Sequence, residues 1–277
     1  MGPEGVGLRL AVQEFFVEGP LALHIEDLRL ALSILAQDDP RDPTAASSAV
    51  AVRTERPRVG VVVDPGSFPF AGKNRPEVDS AVRSAADTLA TAGYDVVEVD
   101  APMLGEAASL WWKLTMPDFD SLGFGAQVDQ FAGEGMKTKW HHMLDLVHDA
   151  YGNITLPDFL DGYARRALLR HQLSMFMVDF PVLLVPSSGQ PPFPLGSDIT
   201  SKDRTHKLMS HQWPNPAVPL LGLPAVGLAT QARPGKAPLG VQLIGRAFAE
   251  QTILDAAEVL HASSGIVTPI EPMPFAG

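Results

Sequence analysis

The chain contains no cysteine, which excludes disulfide bonds, thiolate catalysis and cysteine-ligated zinc within it. Basic residues are also scarce: 21 lysines and arginines against 32 aspartates and glutamates give a formal net charge of −11. Such an acidic surface repels nucleic acid and anionic lipid, so we expect neither as a partner. No hydrophobic run approaches the roughly 20 residues that span a bilayer, and no signal peptide is recognisable. These absences predict a soluble, cytoplasmic protein.

The order of the predicted elements indicates an α/β protein. Arg58–Val63 is a run rich in valine, typical of a strand that is buried on both faces of a sheet. Pro76–Ala92 predicts a helix that ends at Gly93, and Tyr94–Val99 predicts a return strand. We therefore expect a right-handed β–α–β crossover with parallel strands.

Further elements are predicted on either side of this unit. Ile25, Leu28, Leu32 and Leu35 recur at helical spacing. The region 107–179 is helical by pattern, with breaks expected at Met116-Pro117, Gly133 and Gly152. The remaining predicted elements are the strands Phe180–Val185, Ala225–Ala229 and Leu239–Ile244 and the final helix Ala249–His261. No linker is long or polar enough to divide the chain, so a single domain over residues 1–277 is expected.

One stretch, APLGVQLIGRAFAEQTIL, resembles the pattern Pro-x-Gly-x-Gln-x-x-Gly-x-x-x-x-Glu-x-x-x-Leu of the amidase signature family. The matching positions are Pro238, Gly240, Gln242, Gly245, Glu250 and Leu254. Just before it, GLPAV contains Gly222 and Pro224 and resembles the family's Gly-Leu-Pro-Ala element. GPLALHIEDLRLALSILAQDDPRDP resembles the helix and turn that follow the family's catalytic region. The chain is thus identified as the C-terminal part of an amidase domain, with the matched positions interpreted as structural.

This resemblance implies a mixed β-sheet sandwiched between helical layers, and hydrolysis of carboxamide C–N bonds without a cofactor. The family uses a Ser–cis-Ser–Lys triad, in which a neutral lysine takes a proton through one serine and so activates another. A glycine-rich loop supplies the oxyanion hole. In the family both lie upstream of the Gly-Pro helix. Here 18 residues precede Gly19, and none of them is serine or lysine.

We therefore expect a fold that is incomplete at its N-terminus, no catalytic residue in this chain, and no activity of the chain by itself. The chain would be a truncated amidase, or it would act on a small-molecule amide once an N-terminal half on a partner chain completes it. A homo-oligomer stays open. The alternative is a non-catalytic ligand-binding or regulatory protein that retains the amidase fold.

Three serine pairs are candidates for a replacement nucleophile. Ser187-Ser188 follows a predicted strand, where ligands gather in α/β sheets, and Lys202 lies 14 residues further on. Ser47-Ser48 lacks neighbouring glycines, and Ser263-Ser264 follows the last helix. Because serine is an ordinary turn residue, we interpret all three pairs as loop or turn residues.

Trp111 and Trp213 are the candidates for a substrate pocket. Trp111 and Trp112 point about 100° apart on a helix, so only one is expected to face the core. Core packing is the commoner fate of a tryptophan. Met175 and Met177 are also expected in the core.

His141, Asp145 and His148 share one face of a predicted helix, next to His142. A zincin motif is absent, so a solvated face without a metal is expected. VGVVVDPG is followed by no nucleotide-binding glycine motif. Neither a metal nor a cofactor is therefore predicted.

Overall fold

A computed structural model describes residues 9–37, 56–233 and 235–266, with a run of four consecutive helices between the second and third strands. The helices of the described part are α1 (Leu10–Phe15), α2 (Ile25–Leu35), α3 (Pro76–Thr91), α4 (Pro102–Ser121), α5 (Phe124–Phe131), α6 (Glu134–Tyr151), α7 (Leu156–Asp179), α8 (Lys202–His211), α9 (Pro214–Leu221) and α10 (Glu250–Ser263). The strands are β1 (Val59–Val61), β2 (Val96–Glu98), β3 (Val182–Pro186), β4 (Ala225–Arg233) and β5 (Lys236–Gly245).

The five strands form one mixed sheet in the order β2-β1-β3-β5-β4. β1 is parallel to both of its neighbours, with Val59 opposite Val96 of β2 and Val182 of β3. β5 is antiparallel to both β3 and β4. The predicted parallel β–α–β unit is thereby confirmed. So is the prediction that the first strand is buried on both faces, since all three residues of β1 are buried.

Helices cover both faces of the sheet. Residues of β3 alternate between them: Leu183 and Val185 pack with α1, α4, α7 and α9, whereas Val182 and Leu184 pack with α2, α3 and α10. This alternation follows from the period of two along a strand. The mixed sheet sandwiched between helical layers, expected from the family resemblance, is confirmed.

A third cluster of buried side chains lies on the other side of α4 and is built from α4, α5, α6 and α8. Trp111 packs against the cluster on the sheet, and Trp112 packs against this third cluster. Their rings meet edge to face, with centroids 4.8 Å apart. The prediction that only one of them faces a core was wrong, because α4 has a hydrophobic cluster on each side.

Most predicted helix ends are confirmed. Gly93 has φ +90° directly after α3, and the Tyr94 N–H donates to the Leu89 carbonyl at 3.1 Å, which closes the helix. Gly133 and Gly152 flank α6 as expected. The break predicted at Met116-Pro117 was wrong, because α4 continues through Pro117. The buried Leu114 and Met116 hold this part of α4 against its neighbours, so packing overrides the missing proline N–H.

One prediction about a buried side chain was also wrong. Met175 is 60% exposed, whereas Met177 lies in the core as expected. Leu35 is 66% exposed, although Ile25, Leu28 and Leu32 of the same helix pack against the sheet. Leu35 is the last residue of α2.

Across the described ranges, no helix combines the length and the apolar character that a membrane span requires.

Candidate functional site

A pocket of about 230 Å³ lies at the carboxyl end of β3. Because β1 and β3 are parallel, their carboxyl ends meet at one edge of the sheet, where ligands characteristically bind in α/β proteins. None of the described residues that line the pocket carries a charge. Its lining consists of Val78, Ser187, Ser188, Gln190, Pro191, Pro192, Phe193, Gln212, Pro238, Leu239 and Gly240.

Three backbone hydrogen bonds fix the turn that follows β3. The Ser187 N–H donates to the Gly240 carbonyl at 3.1 Å, and the Gly189 N–H donates to the His211 carbonyl at 2.6 Å. The Gly189 carbonyl accepts from the Arg75 N–H at 2.7 Å. A Cβ at position 189 would lie 2.7 Å from Oδ1 of Asn74, so this tight approach requires glycine. The polar groups of the turn are therefore fixed in place.

The pocket contains hydrogen-bond donors without partners among the described residues. Gln190 is only 7% exposed, and its Nε2 has no hydrogen-bond partner there. Oγ of Ser188 accepts from Nε2 of Gln212 at 2.9 Å and from the Gln190 N–H at 3.4 Å. With both acceptor positions filled, this hydroxyl is left to donate. Oγ of Ser187 also has no hydrogen-bond partner in the described part of the chain, and it lies over Gly240.

Asn74 connects the two strand ends beside the pocket. Its Nδ2 donates to the Val63 carbonyl at 2.6 Å, just beyond β1, and to Oδ1 of Asp79 in α3 at 2.9 Å. Its Oδ1 accepts from Nε1 of Trp213 at 3.1 Å. This amide joins the loop after β1 to α3 and to the start of α9.

The structure does not bring the predicted pocket tryptophans to this site. Trp213 is completely buried, and its indole packs in the core, so the interpretation of Trp213 as a pocket wall needs correction. Trp111 lies on α4 against Phe16 and Trp112, and its buried Nε1 has no partner among the described residues. Neither side chain is among those that line the pocket.

Of the matched motif positions, Gly240 and Pro238 line the pocket. A Cβ on Gly240 would lie 2.8 Å from the Leu228 carbonyl oxygen and 3.1 Å from Oγ of Ser187. A Cβ on Gly245 would lie 2.9 Å from Cγ2 of Ile253 in α10. Both glycines therefore stand where a side chain has no room.

The remaining motif positions lie in the framework around the site. Gly222 ends α9 in the left-handed region, with φ +66°. The Pro224 carbonyl accepts from the Gly245 N–H at 2.9 Å. Gln242 lies in β5 opposite Gly227 and Val185, and its buried Oε1 has no partner within the described ranges. Glu250 opens α10, where the helix dipole favours an acid.

No serine hydroxyl is hydrogen-bonded to a lysine in the part of the chain that the structure describes. Nζ of Lys202 pairs instead with Oδ2 of Asp149 at 2.8 Å, and this hydrogen bond raises the pKa of Lys202. A lysine that activates a serine must be neutral, and neither burial nor a serine contact provides for that at Lys202. Ser263 and Ser264 donate to carbonyls of α10, and Ser47-Ser48 lies outside the described residues.

The predicted histidine face does lie on α6, but its side chains are spread over separate contacts. Nε2 of His141 is 3.5 Å from Oδ1 of Asp129, and Nδ1 of His142 is 2.8 Å from Oγ1 of Thr205. Within residues 9–37, 56–233 and 235–266, no three histidine, aspartate or glutamate side chains are placed to hold a metal ion.

Gln190, Gln212 and Asn74 were not singled out from the sequence. Gln190 lies in the Pro/Gly/Ser loop that follows a predicted strand. This position after a strand was the feature of the sequence that could have indicated a binding residue. Gln212 and Asn74 reach the site from 22 residues after Gln190 and more than 100 residues before it, so no local pattern connects them.

A family model described as Amidase matches residues 7–254 of the chain. The indoleacetamide hydrolase of Bradyrhizobium japonicum is 32% identical over 260 residues, which cover 90% of this chain and 52% of the relative. A glutamyl-tRNA(Gln) amidotransferase subunit from Neisseria gonorrhoeae is 26% identical over 286 residues, which cover 93% of this chain and 57% of the relative. The chain therefore spans about half the length of the curated relatives that it matches.

Solved structures share the fold at lower sequence identity. The corresponding glutamyl-tRNA(Gln) amidotransferase subunit from Thermotoga maritima superposes with a TM-score of 0.64 at 20% identity, over 89% of this chain and 52% of that one. A 6-aminohexanoate cyclic dimer hydrolase superposes with a TM-score of 0.60 at 16% identity, over 88% of this chain and 54% of that one. At such identities the likeness concerns the fold alone.

Proposed function

Because this chain belongs to the amidase family, we propose that it forms about half of a hydrolase that cleaves carboxamide C–N bonds. The observation that carries this proposal is the family match over residues 7–254 together with coverage of about half of each relative. A small-molecule amide is the substrate class, in keeping with the relative named as an indoleacetamide hydrolase.

The catalytic serine and lysine belong, in this proposal, to a segment other than these 277 residues. Lys202, the lysine nearest in sequence to a candidate serine pair, pairs with Asp149 rather than with a serine, which supports this division. A serine hydroxyl without a base is a weak nucleophile, so the chain by itself does not hydrolyse amides. The matched positions Gly222, Pro224, Gly245 and Glu250 serve the framework.

The second half attaches, we propose, along the outer edge of β4. Among the described strands, β4 stands at the end of the sheet, and residues 225–232 of its sequence carry no charge. Proteins normally protect such an edge with charges, prolines or covering segments, because it pairs readily with another strand. The opposite edge, β2, is only three residues long and carries Glu98, which pairs with Arg83 at 3.0 Å. Of these two sheet edges, β4 is therefore the better place for the second half to attach.

A partner chain is one source of the second half, since one relative is named as a subunit of an amidotransferase. The alternative is a non-catalytic binding protein that retains the family fold. One observation favours this binding protein. The described residues form the pocket at the end of β3 without any added segment.

Ammonia release from a panel of primary carboxamides tests the proposal. The 277-residue chain is assayed alone and together with the polypeptide encoded upstream of it, fused or co-expressed. We expect turnover only with a segment that supplies the serine and lysine. Turnover by the chain alone would overturn the division of labour, and an encoded neighbourhood without any such segment would favour the binding protein.

A further inference from the structure

We propose that the outward face of α7 is an interface at which two copies of this chain pair. On the inward face of the helix, Leu169, Leu173 and Met177 are buried in the cluster on the sheet, together with side chains of α4, α9 and β3. The opposite face therefore points away from the sheet. A helix at the surface of a protein normally presents polar side chains on that side, whereas the outward face of α7 is mostly apolar.

An apolar stripe runs along the whole outward face of α7. At 100° per residue, its members fall within an arc of about 120° on the side away from the core. The aspartates and arginines of this 24-residue helix all lie outside that arc. The large side chains of the stripe are between 44% and 69% exposed, and they are Leu156, Leu160, Leu168, Met175 and Val178. A contiguous exposed apolar surface of this kind marks an interaction site.

The order of residues along the α7 stripe suits pairing with a second copy of itself. A two-fold axis requires one face to fit against the same face of the other copy. With the axis beside Ala167 and Leu168, Leu160 of one copy lies opposite Met175 of the other, because both are equally far from the axis. The exposed Ala164 and Ala167 near the axis allow the two helices to approach closely.

The charge of the chain also favours this face as the contact between copies. Each copy has a formal net charge of −11, so two copies repel each other over most of their surfaces. The stripe contains no acidic side chain, and its two flanks carry opposite signs at Asp161 and Arg170. Salt screens the remaining repulsion, so the pair should tighten as the salt concentration rises. An interface made of ion pairs would weaken instead.

The dimensions of the stripe fit a weak and reversible dimer. A helix of 24 residues is about 36 Å long, and one of its faces is roughly 10 Å wide. A contact of that size lies at the lower end of specific interfaces, below about 1,200 Å² in total. We therefore expect a dissociation constant in the micromolar range rather than an obligate dimer.

The proposed second half is the other candidate occupant of the stripe, and its place at β4 argues against it. A segment that pairs with β4 extends the sheet sideways, whereas the stripe lies on the outer side of the helical layer that covers the sheet. The dimer is therefore independent of the proposed function. Both the isolated chain and the protein completed by its second half should form it.

Sedimentation velocity of the 277-residue chain between about 1 and about 200 µM tests the proposal. We expect an equilibrium between monomer and dimer that shifts towards the dimer between about 50 and about 500 mM NaCl. The near-ultraviolet circular dichroism of each sample establishes that the chain is folded. A folded chain that stays monomeric at every concentration, or an association that salt weakens, would overturn the proposal.

Leu160→Lys and Met175→Glu, made singly and together, test the pairing itself. Each single variant places an unpaired charge in the interface and should weaken the dimer at least tenfold. In the double variant the new lysine of one copy faces the new glutamate of the other, so much of the loss should be regained. Leu30→Lys, at a similarly exposed position of α2, is the matched control and should leave the dimer unchanged. Single variants that dimerise like the unaltered chain, or a double variant as weak as the singles, would contradict this pairing.

Hydrogen exchange of the protein completed by its second half separates the two occupants. Protection of α7 that increases with protein concentration supports the second copy. Protection of α7 in an assembly that contains a single copy of this chain would assign the stripe to the second half and overturn the proposal. Neither result depends on whether the completed protein hydrolyses amides.

Discussion

The indole N–H of Trp213 donates a hydrogen bond to Oδ1 of Asn74 at 3.1 Å, across 139 positions of the chain. Trp213→Phe removes this donor and leaves the Asn74 oxygen without its partner. We expect the free energy of unfolding to fall by about 1 kcal/mol beyond the loss of packing, because a half-buried acceptor loses its partner.

Trp112→Phe is the matched control for that substitution. Nε1 of Trp112 is buried and has no partner in the described part of the chain, so the substitution removes a donor that is already unsatisfied. Urea denaturation of both variants measures the difference. An equal loss of stability in the two would show that the Asn74–Trp213 hydrogen bond contributes nothing.

Gly240→Ala tests the close approach of β5 to the turn that carries Ser187. The new Cβ would lie 2.8 Å from the Leu228 carbonyl and 3.1 Å from Oγ of Ser187, so backbone and hydroxyl must both move. We expect a loss of about 1–3 kcal/mol in the free energy of unfolding. Thermal and urea melts provide the measurement.

Gly227→Ala, on the neighbouring strand, should change stability in the opposite direction. Its nearest atoms lie 4.0 Å from the added Cβ, so the methyl group has room. Replacing glycine by alanine in an extended strand then gains about 0.5–1 kcal/mol from the reduced freedom of the unfolded chain. If Gly240→Ala is as stable as Gly227→Ala, the claim that a side chain has no room at position 240 is wrong.

The stability of the N-terminus of α7 depends on pH through the carboxyl group of Asp158. Thr155 and Asp158 form a capping box, and the hydrogen bonds from Thr155 lower the pKa of Asp158. A carboxyl whose pKa is lower in the folded state stabilises the fold above its unfolded pKa of about 3.9 and loses that effect as the pH falls through the folded value. Asp158→Asn should therefore be less stable than the unaltered chain at pH 7, with the gap closing below about pH 4.

The measurement is a series of urea midpoints between pH 7 and pH 3, with Asp161→Asn on the same helix as the control. A gap that is the same at pH 3 and pH 7 would exclude the capping box as its cause.

The sequence predicted elements better than it predicted contacts, for a physical reason. Gly93, Gly133 and Gly152 mark helix ends through local backbone preferences, which are visible in neighbouring residues. Pro117 failed as a marker because packing around α4 outweighs the local preference for a break.

The site itself depends on long-range placement. Ser187-Ser188 was recognised as lying at a strand end, but Gln190 and Gln212 also line the pocket, and no periodic pattern distinguishes a glutamine that faces a pocket. Trp213 was a pocket candidate because of its residue type alone, whereas its indole is completely buried in the core.

Hydrogen exchange should report on the outer edge of β4, which pairs with no other strand in the described part of the chain. In the isolated chain, the β4 amides that do not bond to β5 are expected to exchange rapidly, because no other described strand accepts from them. Amides of β3, which has a strand on each side, should exchange slowly. Mass spectrometry of the chain with and without its completing segment makes the comparison. Protection that appears elsewhere on completion, with β4 unchanged, would place the junction at another surface.

The most direct test of the account is the intact mass of the 277-residue chain after incubation with a serine-directed fluorophosphonate. Such a reagent modifies a serine that a neighbouring base has activated. The account predicts no adduct on the chain alone, and an adduct on a serine of the completing segment when the two are combined. A stoichiometric adduct on this chain that disappears in a Ser187→Ala, Ser188→Ala double variant would contradict it.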